Sequence, residues 1–283
     1  MSSASAQFVP CGDFNPDLLV WSKQGITQGV PKLAYFHYED KNFYMRTPIQ
    51  RIAYTPKPLA PIVKPGEDAS KKLPKYTLPI VAEELTFFTA LNKLDARIIQ
   101  LVFDRKDMLF TKEEAKKIKS PNIVEEFYYK SILYLGEKDG EERKPLLNAK
   151  LPLNSQSPDD FAVMVHVMNE DDCELGLAWQ KVELTRSNLE EHIRGGAKAE
   201  CLIRVKGIAM VNTKIYPMID VSHIILHPAL RDELPEGTEI YVKEEVPETM
   251  LLDAVLANVR SHMDVPKLER QTNEERPGKR TRK

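Results

Sequence analysis

Two alternating segments late in the chain constrain its fold more than anything else. Cys201, Ile203 and Val205 alternate with Arg204 and Lys206, and a second apolar-rich run follows from Ile215 to Leu226, with Asn212-Thr213 between them. In an extended chain successive side chains point to opposite faces. The apolar set therefore shares one face and Arg204 and Lys206 share the other. This is the pattern of two long strands around a turn, with one core face and one wet, basic face. A binding sheet needs that split, and so does any half-exposed sheet. The same period of two runs through Phe161, Val163, Val165 and Val167 against Ala162, Met164, His166 and Met168. Asn169 to Asp172 reads as an acidic turn and Glu174 to Val182 as the return strand. Earlier, Lys32 to Arg51 reads as strands with Glu39-Asp40-Lys41-Asn42 as a turn, and Tyr76 to Val81 as a short strand. The fold class expected is mainly β (α+β).

Helices interrupt this pattern. Leu85, Phe88, Leu91, Leu94, Ile98, Leu101 and Val102 recur at three- and four-residue steps, giving one apolar face. Thr111 and Glu114 have capping-box spacing, so a short helix starts there, and Pro121 is expected to end it. Residues 123–135 read as mostly extended, and Gly136 to Arg143 as a hairpin loop. Ser187 and Glu190 form a second capping-box pair, opening a helix that Gly195 and Gly196 close. A last amphipathic helix is expected within residues 246–265, followed by a disordered basic tail at 266–283. Residues 1–30 read as a weakly patterned N-terminal arm, ordered in part. Pro56, Pro58, Pro61, Pro65 and Pro74 block regular structure and mark a long, basic, exposed loop.

Hydrophobic residues are 42% and charged residues 29% of the 283, enough for a core of normal size. The formal net charge is -2, so any attraction to nucleic acid must come from a local patch. Three scattered cysteines, Cys11, Cys173 and Cys201, fit a reducing compartment. Met1 to Pro10 lacks the features of a signal peptide, and no apolar run approaches membrane-spanning length. An intracellular location and no membrane partner are expected.

The chain carries no phosphate-binding glycine loop, no dinucleotide fingerprint, no H-E-x-x-H and no G-x-S-x-G. His223 and His227 share a strand face, but no cysteine pair completes a zinc site. Asp159-Asp160 and Glu170-Asp171-Asp172 lie in turns, where acids are ordinary solvated residues. No enzyme, no cofactor and no metal are expected. A metal-dependent nuclease is the reading these acids would revive.

Binding chemistry is easier to find. Lys41, Arg46, Arg51, Lys57, Lys64, Lys71, Lys72 and Lys75 lie in one stretch opposed only by Glu67 and Asp68, with Phe43, Tyr44, Tyr54 and Tyr76 interleaved. Basic groups neutralise phosphates and release counterions. Aromatic faces stack on unpaired bases. The competing reading is that these aromatics are strand core and the lysines a solvated loop. The candidate contacts are Lys41, Arg46, Arg51, Lys75, Arg204, Lys206 and Lys214 for phosphates, with Tyr44, Tyr54 and Tyr216 for bases. On this reading Tyr44→Ala weakens binding at all salt concentrations and Arg46→Ala flattens the salt dependence.

The order of segments adds a resemblance. Tyr44-Met45-Arg46-Thr47-Pro48-Ile49, Lys75-Tyr76-Thr77-Leu78-Pro79-Ile80, the helix Phe87 to Asp95 ending in Leu94-Asp95, and the late hairpin Ala199 to Leu226 with its central Gly207 follow one another in the chain. In this order they resemble the single-stranded-DNA-binding proteins of large nucleo-cytoplasmic DNA viruses, which are distantly similar to phage replication proteins. The resemblance covers roughly residues 30–228. It implies an OB-like β-barrel over residues 31–245 with inserted helices. It also implies a role in viral DNA replication or recombination, at a site in the host cytoplasm or nucleus. Single-stranded DNA and replication proteins such as a polymerase are the partners it implies. The basic tail can add phosphate affinity or act as a nuclear-import signal. The runner-up is a scaffolding protein of a virion or replication complex. There the C-terminal helix docks a partner or a second copy to give a homo-oligomer, or it packs on its own barrel.

Overall fold

The computed structural model describes residues 5–27, 29, 31–60, 73–133, 137–138, 141–142, 144–168 and 179–227. The chain divides into two units, Met1–Leu230 and Arg231–Lys283, and the described residues lie in the first. The strands are β1 (Ala6–Pro10), β2 (Leu19–Ile26), β3 (Lys32–Tyr38), β4 (Asn42–Arg46), β5 (Gln50–Arg51), β6 (Tyr76–Val81) and β7 (Ile132–Leu133), then β8 (Glu137–Lys138), β9 (Glu141–Glu142), β10 (Leu146–Leu151), β11 (Met164–Met168), β12 (Trp179–Val182), β13 (Lys198–Val211) and β14 (Lys214–His227). The helices are α1 (Leu85–Asp104), α2 (Lys106–Leu109), α3 (Lys112–Lys117), α4 (Pro121–Glu125) and α5 (Leu189–His192). Twelve of the strands form one mixed sheet with the path β1-β4-β13-β14-β10-β6.

The β13–β14 hairpin is the spine of this sheet. Its turn places Asn212 at φ 54°, a left-handed conformation that asparagine tolerates better than most residues. β13 pairs antiparallel with β4 over Leu202–Val205 and with β3 over Gly207–Met210. β3 and β4 therefore run in the same direction along one edge of β13. The expected turn at Glu39-Asp40 is present, with φ of 50° and 63°, and it joins these two end-to-end strands. Gly207 sits where β13 changes partner. A Cβ there would lie 1.9 Å from the Ala34 carbonyl oxygen, so the close approach of β3 requires glycine.

Lateral neighbours in a sheet point to the same face, and two rows show the core side: Val9–Met45–Ile203–Val221 and Phe43–Val205–Ile219. All seven side chains are buried, and each large apolar group stabilises the fold by roughly 1.5–3 kcal/mol. α1 adds Phe87, Leu91, Leu94, Ile98 and Val102 to the same core. Its first turn is capped by Glu84, whose carboxylate accepts from the Phe87 N–H at 2.9 Å. Its far side is tied down by the Trp21 indole N–H, which donates to the Leu101 carbonyl at 3.1 Å. Arg97 in turn donates to the Leu19 carbonyl at 3.1 Å. Beyond β5, Ile52 forms a single antiparallel bridge with Ile80 of β6.

Several expectations need correction. Residues 6–26 hold two strands that the weak pattern did not mark: β1 pairs in parallel with β4, and β2 pairs antiparallel with β3. The chain after β1 turns through Pro10, Gly12 and Pro16, which obscures the alternation. Pro121 does not merely end a helix. It opens α4 at the first helical position, where its missing N–H costs nothing. The Thr111–Glu114 capping box forms as expected. The Ser187–Glu190 box does not, because Asn188 is the cap residue and its side-chain oxygen accepts from the Thr185 N–H instead. β11 begins at Met164, since Phe161 to Val163 lie outside the strand. The expected return strand is described as Trp179–Val182, antiparallel to β11. The loop lysines Lys64, Lys71 and Lys72, the acids 170–172, the C-terminal helix and the basic tail lie outside the described residues.

Candidate nucleic-acid interface

The face of the sheet opposite the core carries most of the predicted contacts. Phe8, Tyr44, Arg204, Asp220 and Lys150 form one lateral row across β1, β4, β13, β14 and β10. In the middle of this face the charges answer one another. The Arg46 guanidinium pairs with the Glu200 carboxylate, and the Lys206 ammonium pairs with Asp220. Arg204 donates to Asn42 Oδ1 at 3.0 Å and lies 5.6 Å from the centre of the Tyr44 ring. Phe8 covers Tyr44 from its own side, with ring centres 5.2 Å apart, and Tyr44 is 7% exposed. Lys41 donates to Gln7 Oε1 at 3.0 Å. A phosphate or base arriving here meets a surface whose cations and ring are already engaged.

At the start of β13 the surface is more open. Tyr54 is 46% exposed. It follows the Ile52 bridge and runs beside Gly195, where a Cβ would come within 3.0 Å of the Tyr54 Cα. Arg51 donates to Glu83 at 3.1 Å, and Lys144 pairs with the same carboxylate. Lys75 is exposed and forms a backbone bridge with Leu59.

The far end of the hairpin holds Lys214 and Tyr216 and a residue that the sequence reading passed over. Tyr129 and Tyr216 stack with ring centres 4.4 Å apart and planes 12° from parallel. They are 45% and 38% exposed. The stack follows from two short extended stretches side by side. The Ile215 N–H donates to the Phe127 carbonyl and the Tyr129 N–H donates to the Ile215 carbonyl, each at 2.9 Å. Alternation then sends Tyr128 and Ile215 inward, where both are buried, and Tyr129 and Tyr216 outward. A hydrogen bond with Tyr129 is the first cause raising the Tyr216 phenol above its ordinary value, so Tyr216 stays neutral at physiological pH. The Lys214 ammonium lies 5.9 Å from both the Phe127 and Tyr129 rings. It donates to the Glu126 backbone carbonyl at 3.4 Å, a neutral acceptor, and among the described residues no carboxylate pairs with it. Tyr129 lies in the aromatic run at 123–135. Its partner in the stack is 87 residues away in sequence.

The predicted contacts are thus distributed rather than gathered. β13 has 14 residues, so Tyr54 and Tyr216 flank a strand roughly 40 Å long. Arg51, Tyr54 and Lys75 belong to one end, Arg46, Arg204 and Lys206 to the middle, and Lys214 and Tyr216 to the other.

Beyond this face, a cleft of about 420 Å³ is lined by Asn154, Phe161, Met164, Lys181 and His223, among others. Burial first, then the proximity of His166, pushes the His223 imidazole down to about 4, so it is neutral at pH 7. Neither His223 ring nitrogen has a hydrogen-bond partner among the described residues. Among the described residues no group of three His, Cys, Asp or Glu side chains could hold a metal ion.

A β protein with an inserted helix and an exposed, cationic tyrosine stack at a hairpin tip is the class these features define. No family model matches the chain, and no curated protein matches it. Among solved structures it is similar to the single-stranded DNA-binding protein from bacteriophage Enc34 in complex with ssDNA. That match has 15% identity, 76% of this chain and 99% of that chain covered, and a TM-score of 0.36. The C-terminal truncation of the same phage protein matches at 14% identity, 78% and 99% coverage and a TM-score of 0.36. A further structure of that protein matches at 14% identity, 80% and 96% coverage and a TM-score of 0.34.

Proposed function

We propose that this protein binds single-stranded DNA without sequence preference and catalyses no reaction. The observation that carries the proposal is the Tyr129–Tyr216 stack with the Lys214 ammonium beside it. Every base offers a π-face, so an exposed aromatic platform is indifferent to sequence. A neighbouring ammonium adds the phosphate contact that holds the strand's backbone. Paired bases in a duplex are stacked on each other and cannot reach the platform, which selects for single strands. The strand's path runs from the tip along the hairpin toward Tyr54 and Lys75. On that path the Arg46–Glu200 and Lys206–Asp220 pairs supply orientation rather than net attraction. The Ile52–Ile80 bridge supports an OB-like closure in which β5, β13, β14, β10 and β6 form the ring. Action in viral replication or recombination is part of the same reading.

The test is fluorescence anisotropy with a labelled oligo-dT and a matched duplex across a salt series. Tight, salt-sensitive binding with strong preference for the single strand supports the proposal. No binding at low salt overturns it and leaves the scaffolding role in its place.

A further inference from the structure

We infer that Asp95, in the middle of the inserted helix α1, is a positioning residue for the tyrosine platform and holds Tyr129 ready for a nucleobase. This inference rests on the single-strand reading above. Asp95 is a buried carboxylate on a helix whose other inward groups are apolar. Such a group is costly unless fully hydrogen-bonded. Among the described residues its hydrogen-bond partners all come from one short segment. Oδ1 accepts from the Tyr128 hydroxyl at 2.7 Å and from the Ser131 hydroxyl at 2.6 Å, and Oδ2 accepts from the Ser131 N–H at 2.8 Å.

These three bonds grip the residues on either side of Tyr129-Lys130. The backbone bridge to Ile215 fixes the same segment from the other side. Tyr129 therefore sits on a stretch held at both edges, and its ring has little choice but to lie on Tyr216. A platform already formed before DNA arrives avoids the entropy of ordering a tyrosine at the moment of binding. The burial of a charge in α1 is explained by this task, since an apolar residue at position 95 would fill the core with no need for partners.

The experiment compares Asp95→Asn and Tyr128→Phe in the full chain, each made alone and together with Tyr129→Ala. Asp95→Asn keeps the shape but replaces one carboxylate oxygen with an amide donor, so the Ser131 N–H and the two hydroxyls of Tyr128 and Ser131 can no longer all donate to it. Tyr128→Phe removes one bond, keeps the ring, and serves if Asp95→Asn does not fold. Each should weaken oligo-dT binding roughly 2- to 10-fold in the native background, the equivalent of one net hydrogen bond. In the Tyr129→Ala background each should change affinity less than about twofold, because the residue being positioned is gone. The salt slope should stay the same, since no cation is touched. Near-ultraviolet circular dichroism of the DNA-free protein should lose the same tyrosine component in Asp95→Asn as in Tyr129→Ala. The inference is overturned if both variants bind as tightly as native protein while Tyr129→Ala binds weakly, or if they lose equal affinity in both backgrounds. If native protein binds no oligo-dT, the single-strand reading fails by itself, and the dichroism still decides whether Asp95 orders Tyr129.

Discussion

Truncating Tyr216 and truncating Tyr44 should do opposite things, although both are tyrosines on the same sheet. Tyr216 exposes 38% of its surface and shares its stack with Tyr129, so the pair is the solvent-exposed aromatic surface on which the proposed base stacks. Base–aromatic stacking is worth about 1–3 kcal/mol per base, which is roughly a 5- to 150-fold change in Kd. Tyr216→Ala should lose affinity in that range, at every salt concentration, with an unchanged urea midpoint. Tyr44 is 7% exposed, packed under Phe8 and beside Arg204. Removing a buried ring costs about 3–5 kcal/mol of stability. Tyr44→Ala should therefore lower the urea midpoint by roughly 1 M or more, and the protein that remains folded should bind DNA within about twofold of native. Anisotropy titrations beside urea melts monitored by circular dichroism separate the two effects. If Tyr44→Ala binds weakly while keeping its midpoint, and Tyr216→Ala binds normally, the assignment of the platform to the hairpin tip is refuted.

Lys214→Ala should lower the salt slope of log K by about 0.7. Arg46→Ala should leave the slope unchanged and cost about 3–5 kcal/mol of stability, because Glu200 stays buried without its guanidinium; a flattened slope for Arg46→Ala would show that the pair opens to DNA. Gly207→Ala places a carbon 1.9 Å from the Ala34 oxygen and 2.7 Å from the Tyr35 Cα, both backbone atoms that cannot swing aside. It should cost more than about 4 kcal/mol, read as lost soluble protein or a collapsed urea midpoint, and native-like stability would refute the close approach of β3. The His223 ring is held neutral in the fold, with its pKa down at about 4 against 6.5 for a free imidazole. Between those values the unfolded chain binds the extra proton, so stability falls as pH drops from about 6.5 toward 4, by about 3 kcal/mol in all. His223→Leu should remove most of that dependence in urea melts at a series of pH values, and an unchanged profile would mean that other groups cause it.

What the sequence determined by itself is whatever a local period can encode. The alternation in Cys201–Leu226 defined the β13–β14 hairpin and its turn at Asn212, and the three- and four-residue steps after Leu85 defined α1. The Thr111–Glu114 spacing gave a real cap because both partners lie within one turn. The tertiary structure decided everything that depends on a distant partner. β1 is a strand because β4 supplies its hydrogen bonds, and β3 and β4 lie end to end because both pair with β13. The candidate site divides in the same way. Lys214 and Tyr216 stood out because they follow the Asn212-Thr213 turn, but register decides that Ile215 points inward and Tyr216 outward. Arg46 and Lys206 looked equally available, since nothing in the local sequence brings Glu200 or Asp220 beside them. Tyr129 was not singled out, and Asp95 stood out only as the last residue of a helix motif. One becomes a platform through a strand 87 residues away, and the other becomes its anchor only when α1 folds over the segment from Tyr128 to Ser131.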